Sequence, residues 1–183
     1  FPEVKTYMTG TMFDEVYHGR TAYEFLHGLT TYETTHPHLG KILISLGVAI
    51  FGMTPFGWRF MPVIFGIMIL PLMYLFAKKM FRSTFIATAT TILLAFDCMH
   101  YTLSRIATID IFAAFFILLM FYYMYDYFFK DSVYRRCDAS LQSKFPPREV
   151  YLPLALSGIS MALGIATKWT GVYAGMGLCI LFF

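Results

Sequence analysis

Residues 106–129 read IATIDIFAAFFILLMFYYMYDYFF, a nearly unbroken apolar run with one acid near its start, Asp110, and one near its end, Asp126. A helix needs about 20 such residues to cross a hydrocarbon core of roughly 30 Å, so the run reads as a membrane span. Its aromatic tail, 121–129, reads as belt and core residues at one interface, with Asp126 interfacial. Working outward, the stretches 58–77, 84–101 and 151–167 read as further spans, and a fifth begins near Gly171. The segment 41–52, KILISLGVAIFG, is too short to cross and reads as a helix at the membrane surface or buried under one.

Composition agrees. Of 183 residues, 58% are hydrophobic, 19% aromatic and only 14% charged, which is too apolar for a soluble domain of this length. The expected fold is all-α, a polytopic membrane helical bundle. It opens on Phe and stops within GLCILFF, so both ends read as cut from a longer polypeptide. The opening residues lack the basic and apolar regions of a signal peptide. Cys98, Cys137 and Cys179 are too scattered for a disulfide framework or a zinc site and read as packing residues. A net charge of +3 without a basic, aromatic-interleaved stripe gives no sign of nucleic-acid binding. The G-x-x-x-x-G-K-S/T phosphate loop of nucleotide enzymes is absent.

Lys78, Lys79 and Arg82 follow the first span, and Lys130, Arg135, Arg136, Lys144 and Arg148 lie in the loop 130–150. By the positive-inside rule both loops are cytoplasmic, and an even number of spans separates them, as that requires. The chain then divides into an extracytoplasmic first loop, 1–57, with an acidic motif and an interfacial helix, and a helical bundle, 58–183. The outer side also holds the turns 98–105 and 167–171. Ionisable groups from separate segments converge there, whereas a transporter more often keeps them near the bilayer midplane on interrupted helices.

Asp14 and Glu15 stand side by side in MFDEVYHGR, 12–20. An ionised acid avoids lipid, so the pair lies in water or in a site. Asp14 could cap a helix running from Glu15 to about His27, or serve as a base, and the two roles can coexist. His18 shares a helical face with Asp14 and reads first as a wet surface residue. His36 and His38 flank Pro37, which holds the entry to the 41–52 helix extended. With the two acids they raise a divalent metal as the lesser alternative; no cofactor is the main expectation. Lys41 is a snorkelling interface residue or a phosphate contact. Trp58 and Arg59 read as an aromatic-belt and head-group pair or as substrate contacts. Arg105 and Asp110 point about 140° apart on one straight helix and need other partners. Lys168 and Trp169 are an interface anchor, or a phosphate-facing cation beside an aromatic wall. Asp97 and His100 could form a local pair.

Five stretches in this order, FDEVYHGRTAYEFLHG, THPHLGK, GWRFMPVIFG, SRIATIDIFAAFF and GIATKWTG, resemble the amino-terminal half of the protein O-mannosyltransferases, membrane enzymes of the GT-C glycosyltransferase class and glycosyltransferase family 39. The likeness spans essentially the whole chain. One departure is His36-Pro37-His38-Leu39-Gly40-Lys41, where the family commonly has a second proline in place of His38. The resemblance implies inverting transfer of mannose from a polyprenyl-phosphate donor to Ser or Thr hydroxyls of a protein acceptor, at the extracytoplasmic face of an integral membrane protein. That membrane is the plasma membrane if the source is bacterial, toward which the short loops lean, and the endoplasmic reticulum if eukaryotic. Asp14 is then the base and Glu15 orients the acceptor or its backbone; Arg105 holds one of these acids or touches phosphate; Lys168, Lys41, His36, Arg59 and Trp169 meet the donor. Membrane lipid is a further partner, and the residues leave monomer or dimer open. A lipid or glycan acceptor, or a lipid-linked-sugar transporter, are the alternatives.

Overall fold

The computed structural model describes residues 10–136 and 147–182, and these contain eight helices and no strand. They are α1 (Glu15–Leu26), α2 (Leu39–Phe51), α3 (Pro55–Phe81), α4 (Thr84–Ala95), α5 (Cys98–Leu103), α6 (Asp110–Arg136), α7 (Pro147–Thr167) and α8 (Thr170–Phe182). Residues 137–146, about half of the basic loop 130–150 read from the sequence, lie outside the described residues.

Three helices contain stretches long and apolar enough to cross a membrane: Pro55–Phe81, Asp110–Ser132 and Arg148–Thr167. They overlap three of the expected spans, extending 58–77 and 151–167 and shifting 106–129 toward its carboxyl end. Local chemistry sets the ends of α3. The Thr54 side chain accepts the Gly57 N–H at 3.2 Å, Pro55 fills the first turn where a missing N–H costs nothing, and Arg82 closes the helix in the left-handed conformation.

The expected span 84–101 is instead two pieces. α4 has 12 residues, about 18 Å of helix, short of the roughly 30 Å core. At Phe96 the helix ends, Asp97 takes an extended conformation, and its carboxylate accepts the His100 N–H at 2.8 Å, starting α5. The cap competes with helix continuation and redirects the chain. The Asp97–His100 pair expected from the sequence is this backbone cap.

The long helices pack side by side. α3 and α6 run parallel: Phe65 meets Phe112 and Phe115 edge-on, with centroids 4.8 and 5.1 Å apart, and further along Lys79 pairs with Asp126 at 2.5 Å. α7 returns antiparallel to α6, with the Ser157 hydroxyl donating to the Met120 carbonyl at 2.9 Å, which satisfies a buried polar group in an apolar layer. Phe85, Leu93 and Ile180 are 83%, 74% and 79% exposed. Apolar side chains that open on the outer surface of a bundle suit lipid, where exposure costs nothing.

The starts of α3, α6 and α8 and the end of α7 therefore meet at one end, and Lys79, Asp126 and Lys130 mark the other. α2 lies across the first end. Near its start, a Cβ added to Gly40 would stand 2.7 Å from Ile109 and 3.1 Å from Thr167; further on, Gly47 seats against the Gly57 carbonyl. Glycine at these two points lets the helix bridge α3 to α6 and α7; its 13 residues, about 20 Å, are too few to cross a core of roughly 30 Å. α1 packs on α2 and completes a cap over the bundle.

Candidate active site

Adjacent side chains on a helix point about 100° apart, so the acid doublet at the start of α1 must split. Glu15 turns inward. Its fully buried carboxylate accepts Arg59 Nε and Nη2 at 2.6 Å each, the Ala107 N–H at 2.8 Å and the Met12 N–H at 2.8 Å. Four donors fill its accepting positions, and the group ties α1 to α3 and to the chain leading into α6. The expectation that Glu15 orients an acceptor is corrected: no position is left for one.

Arg59 is 8% exposed and serves as this buried anchor, with its Nη2 also donating to the Gly10 carbonyl at 3.2 Å. The partner expected for the doublet was Arg105. Instead Arg105 is exposed, stacked over the Tyr101 ring at 4.1 Å, and faces a separate, largely apolar groove of about 640 Å³ along α3.

Asp14 turns the other way. It occupies the helix-cap position, yet its side chain makes no capping hydrogen bond, so the simple capping reading fails. Its carboxylate borders a cleft of about 540 Å³ between α1, the 32–36 segment and the start of α6. Tyr17 and His18 join it from α1, Glu33 and His36 from the loop, and Asp110 and Lys168 from the bundle.

Lys41 is wholly buried beneath this cleft. It donates to the carbonyls of Glu33 (2.8 Å) and His36 (3.0 Å) and pairs with the Glu33 carboxylate. An ammonium has three donors, and all three are taken, which corrects the expected phosphate contact. Glu33 went unnoticed in the sequence, lost in the polar run TYETTH. Burial works against its charge, but hydrogen bonds from Lys41 and Thr35 outweigh it and hold the carboxyl at about 2. The 33–38 loop is thus clamped to α2 from within. Glu24 holds the other end, accepting the Tyr32 N–H at 3.0 Å and Arg20 Nε at 2.7 Å.

Lys168 pairs with Asp110, the partner that Asp110 lacked in the sequence, and both border the cleft. Trp169 Nε1 donates to the Thr35 carbonyl at 3.3 Å, joining the α7–α8 turn to the loop. His36 also borders the cleft, and its Nδ1 is buried without a partner among the described residues. His18, expected to be wet, is 4% exposed, and its Nδ1 is likewise unpartnered among the described residues. Burial pushes the imidazole below its ordinary range, against the pull of Asp14 and Glu33. Among the described residues no three His, Cys, Asp or Glu side chains gather as metal ligands.

Fold and cleft define a membrane protein, all-helical among the described residues, that carries three carboxylates, a cation and two imidazoles in one polar recess at one end of its bundle. Residues 50–183 match the family described as dolichyl-phosphate-mannose-protein mannosyltransferase, and the chain belongs to that family. A polyprenol-phosphate-mannose–protein mannosyltransferase of Mycobacterium tuberculosis is 30% identical over 176 residues, covering 88% of this chain and 33% of the relative. Its namesake in Mycolicibacterium smegmatis is 29% identical over 88% of this chain and 34% of its own length. One from Corynebacterium glutamicum is 30% identical over 147 residues, 75% of this chain and 28% of the relative. The chain spans about a third of the length of these curated relatives. No solved structure matches it.

Proposed function

We propose that the protein containing this chain transfers mannose from a polyprenyl-phosphate donor to Ser or Thr hydroxyls of a protein, at the extracytoplasmic face of its membrane and with inversion at the sugar carbon. The acceptor oxygen forms a bond to the anomeric carbon as the bond from that carbon to the phosphate oxygen breaks. The phosphate leaves with the electron pair, and the hydroxyl proton passes to Asp14. A hydroxyl is a poor nucleophile until its proton is taken, so a carboxylate must stand free at the site. One observation carries this reading: of two adjacent acids, Glu15 is saturated and buried, while Asp14 borders the polar cleft without a capping hydrogen bond.

Lys168 supports the other half of the reaction. Among the described residues one of its three donors serves Asp110, which leaves two for a phosphate that gains charge as it departs. The mycobacterial relatives carry names that describe this donor and a protein acceptor.

The test is Asp14→Asn in the full-length protein, assayed in membranes with labelled polyprenyl-phosphate mannose and a Ser/Thr peptide. Turnover falls by about 10²–10⁴ while donor binding stays near wild type, the pattern for a group acting in the transition state. Normal transfer by a folded Asp14→Asn protein would overturn the assignment, and label found in lipid or glycan alone would move the acceptor to another class.

A further inference from the structure

Two imidazoles that line the cleft each have one ring nitrogen without a partner among the described residues. Nδ1 of His18 and Nδ1 of His36 are buried and unpartnered among the described residues, and both side chains border the same 540 Å³ recess as Asp14. A buried polar atom left unpaired costs about 1–3 kcal/mol, so such atoms are generally matched by something that binds.

The chemistry of the recess narrows the occupant. Around His18 stand the acids Asp14 and Glu33 and the cation Lys41; Lys41 is spent on Glu33, which leaves the Asp14 carboxylate to repel an anion. The cation of the recess, Lys168, belongs to the bundle rather than to α1 and suits the phosphate. A divalent ion lacks a gathered set of three ligands among the described residues. Burial keeps the His18 imidazole in its neutral form near pH 7, with one nitrogen donating and one accepting. A sugar hydroxyl also donates and accepts, and the recess lies within the roughly 300–1,000 Å³ of small-molecule sites.

We propose that His18 and His36 are sugar-recognition residues, holding hydroxyls of the transferred hexose beside Asp14. His18 lies one helical turn beyond Asp14 on the same face of α1, so a sugar bonded to the imidazole presents its ring next to the carboxylate that receives the proton. Lys41, which fastens the His36 carbonyl from below, fixes the second imidazole relative to the first. This assignment rests on the transferase reading above and adds to it which side chains read the sugar.

The experiment measures donor binding, which does not depend on turnover. Full-length wild type, His18→Ala, His18→Asn and His36→Ala are titrated with polyprenyl-phosphate mannose and with its 2-, 3-, 4- and 6-deoxy analogues. On wild type, at least one deoxy analogue binds about tenfold more weakly than the parent, the weight of one hydrogen bond to a buried group. On His18→Ala the parent weakens by a similar factor, and that same analogue loses little more, because its missing partner is already gone. His36→Ala shows the same coupling with a different hydroxyl. His18→Asn, which keeps a donor and an acceptor, recovers part of the discrimination and covers the case in which His18→Ala does not fold. Losses that multiply independently for all four analogues would overturn the proposal, as would unchanged donor affinity in the folded variants. Absence of transfer by a wild-type protein that still discriminates the analogues would instead count against the transferase reading alone.

Discussion

Glu15→Gln tests the division of labour within the doublet. Each carboxylate oxygen of Glu15 serves two donors: Oε1 takes Arg59 Nε and the Ala107 N–H, and Oε2 takes Arg59 Nη2 and the Met12 N–H. An amide replaces one oxygen by an NH₂ group, so in either orientation two donors face a donor. Two lost bonds to a charged group amount to about 3–6 kcal/mol at 1.5–3 kcal/mol each. Breaking a buried ion pair on one side gives a matching figure of about 3–5 kcal/mol. For a domain of 150–250 residues each kcal/mol moves Tm by about 2–4 °C, and less in a longer chain, so Glu15→Gln lowers Tm by roughly 5–15 °C. Thermal unfolding of the purified full-length protein in detergent, read alongside Asp14→Asn, is the assay. Asp14→Asn stays within about 2 °C of wild type, because it removes no protein hydrogen bond at the cap. The double variant Glu15→Gln/Arg59→Gln loses less than the two singles together, since neither charge is then left alone. A Glu15→Gln protein that melts with wild type, or a strictly additive double variant, refutes the buried anchor.

The carboxyl of Glu33 is held at about 2 against an ordinary 4.5, and its side chain is 14% exposed. The charged form is favoured by folding, so its contribution, about 3 kcal/mol, is present above pH 4.5 and fades as pH falls toward 2. Unfolding measured from pH 7 down to 3 therefore shows the stability gap between wild type and Glu33→Gln narrowing with acid; a constant gap contradicts the clamp. Arg105→Lys, at an exposed position stacked on Tyr101 and outside the cleft, keeps kcat/KM within about threefold of wild type, as surface changes of about ±0.5 kcal/mol do. A kinetic assay giving a loss of a hundredfold or more would return Arg105 to the site.

What the sequence yields about this molecule depends on how far apart the cooperating residues lie. The spans were legible because a helix satisfies its own backbone within one segment, so length and hydropathy suffice. The break at Asp97 was not, since an acid near a predicted interface looks the same whether it ends a span or caps the next helix. In the site, i to i+1 geometry required the acids to diverge, but not which of them would face the core. That depended on a guanidinium 44 positions away in the chain. Arg59 and Arg105 both stand near predicted helix ends and both line the groove along α3, but Arg59 turns to the Glu15 carboxylate whereas Arg105 stacks, exposed, on Tyr101. Lys41 carried a clue in being the one charge within KILISLGVAIFG, since an ammonium among apolar residues has either to reach water or to find an acid. The acid was Glu33, eight residues back in a loop that periodicity does not describe. Anchors made by long-range pairs thus absorb the charges that a linear reading assigns to substrate. The residues left for chemistry are those the pairing does not consume, which is why Asp14 and His18, one turn apart on one short helix, bear the weight of the functional assignment.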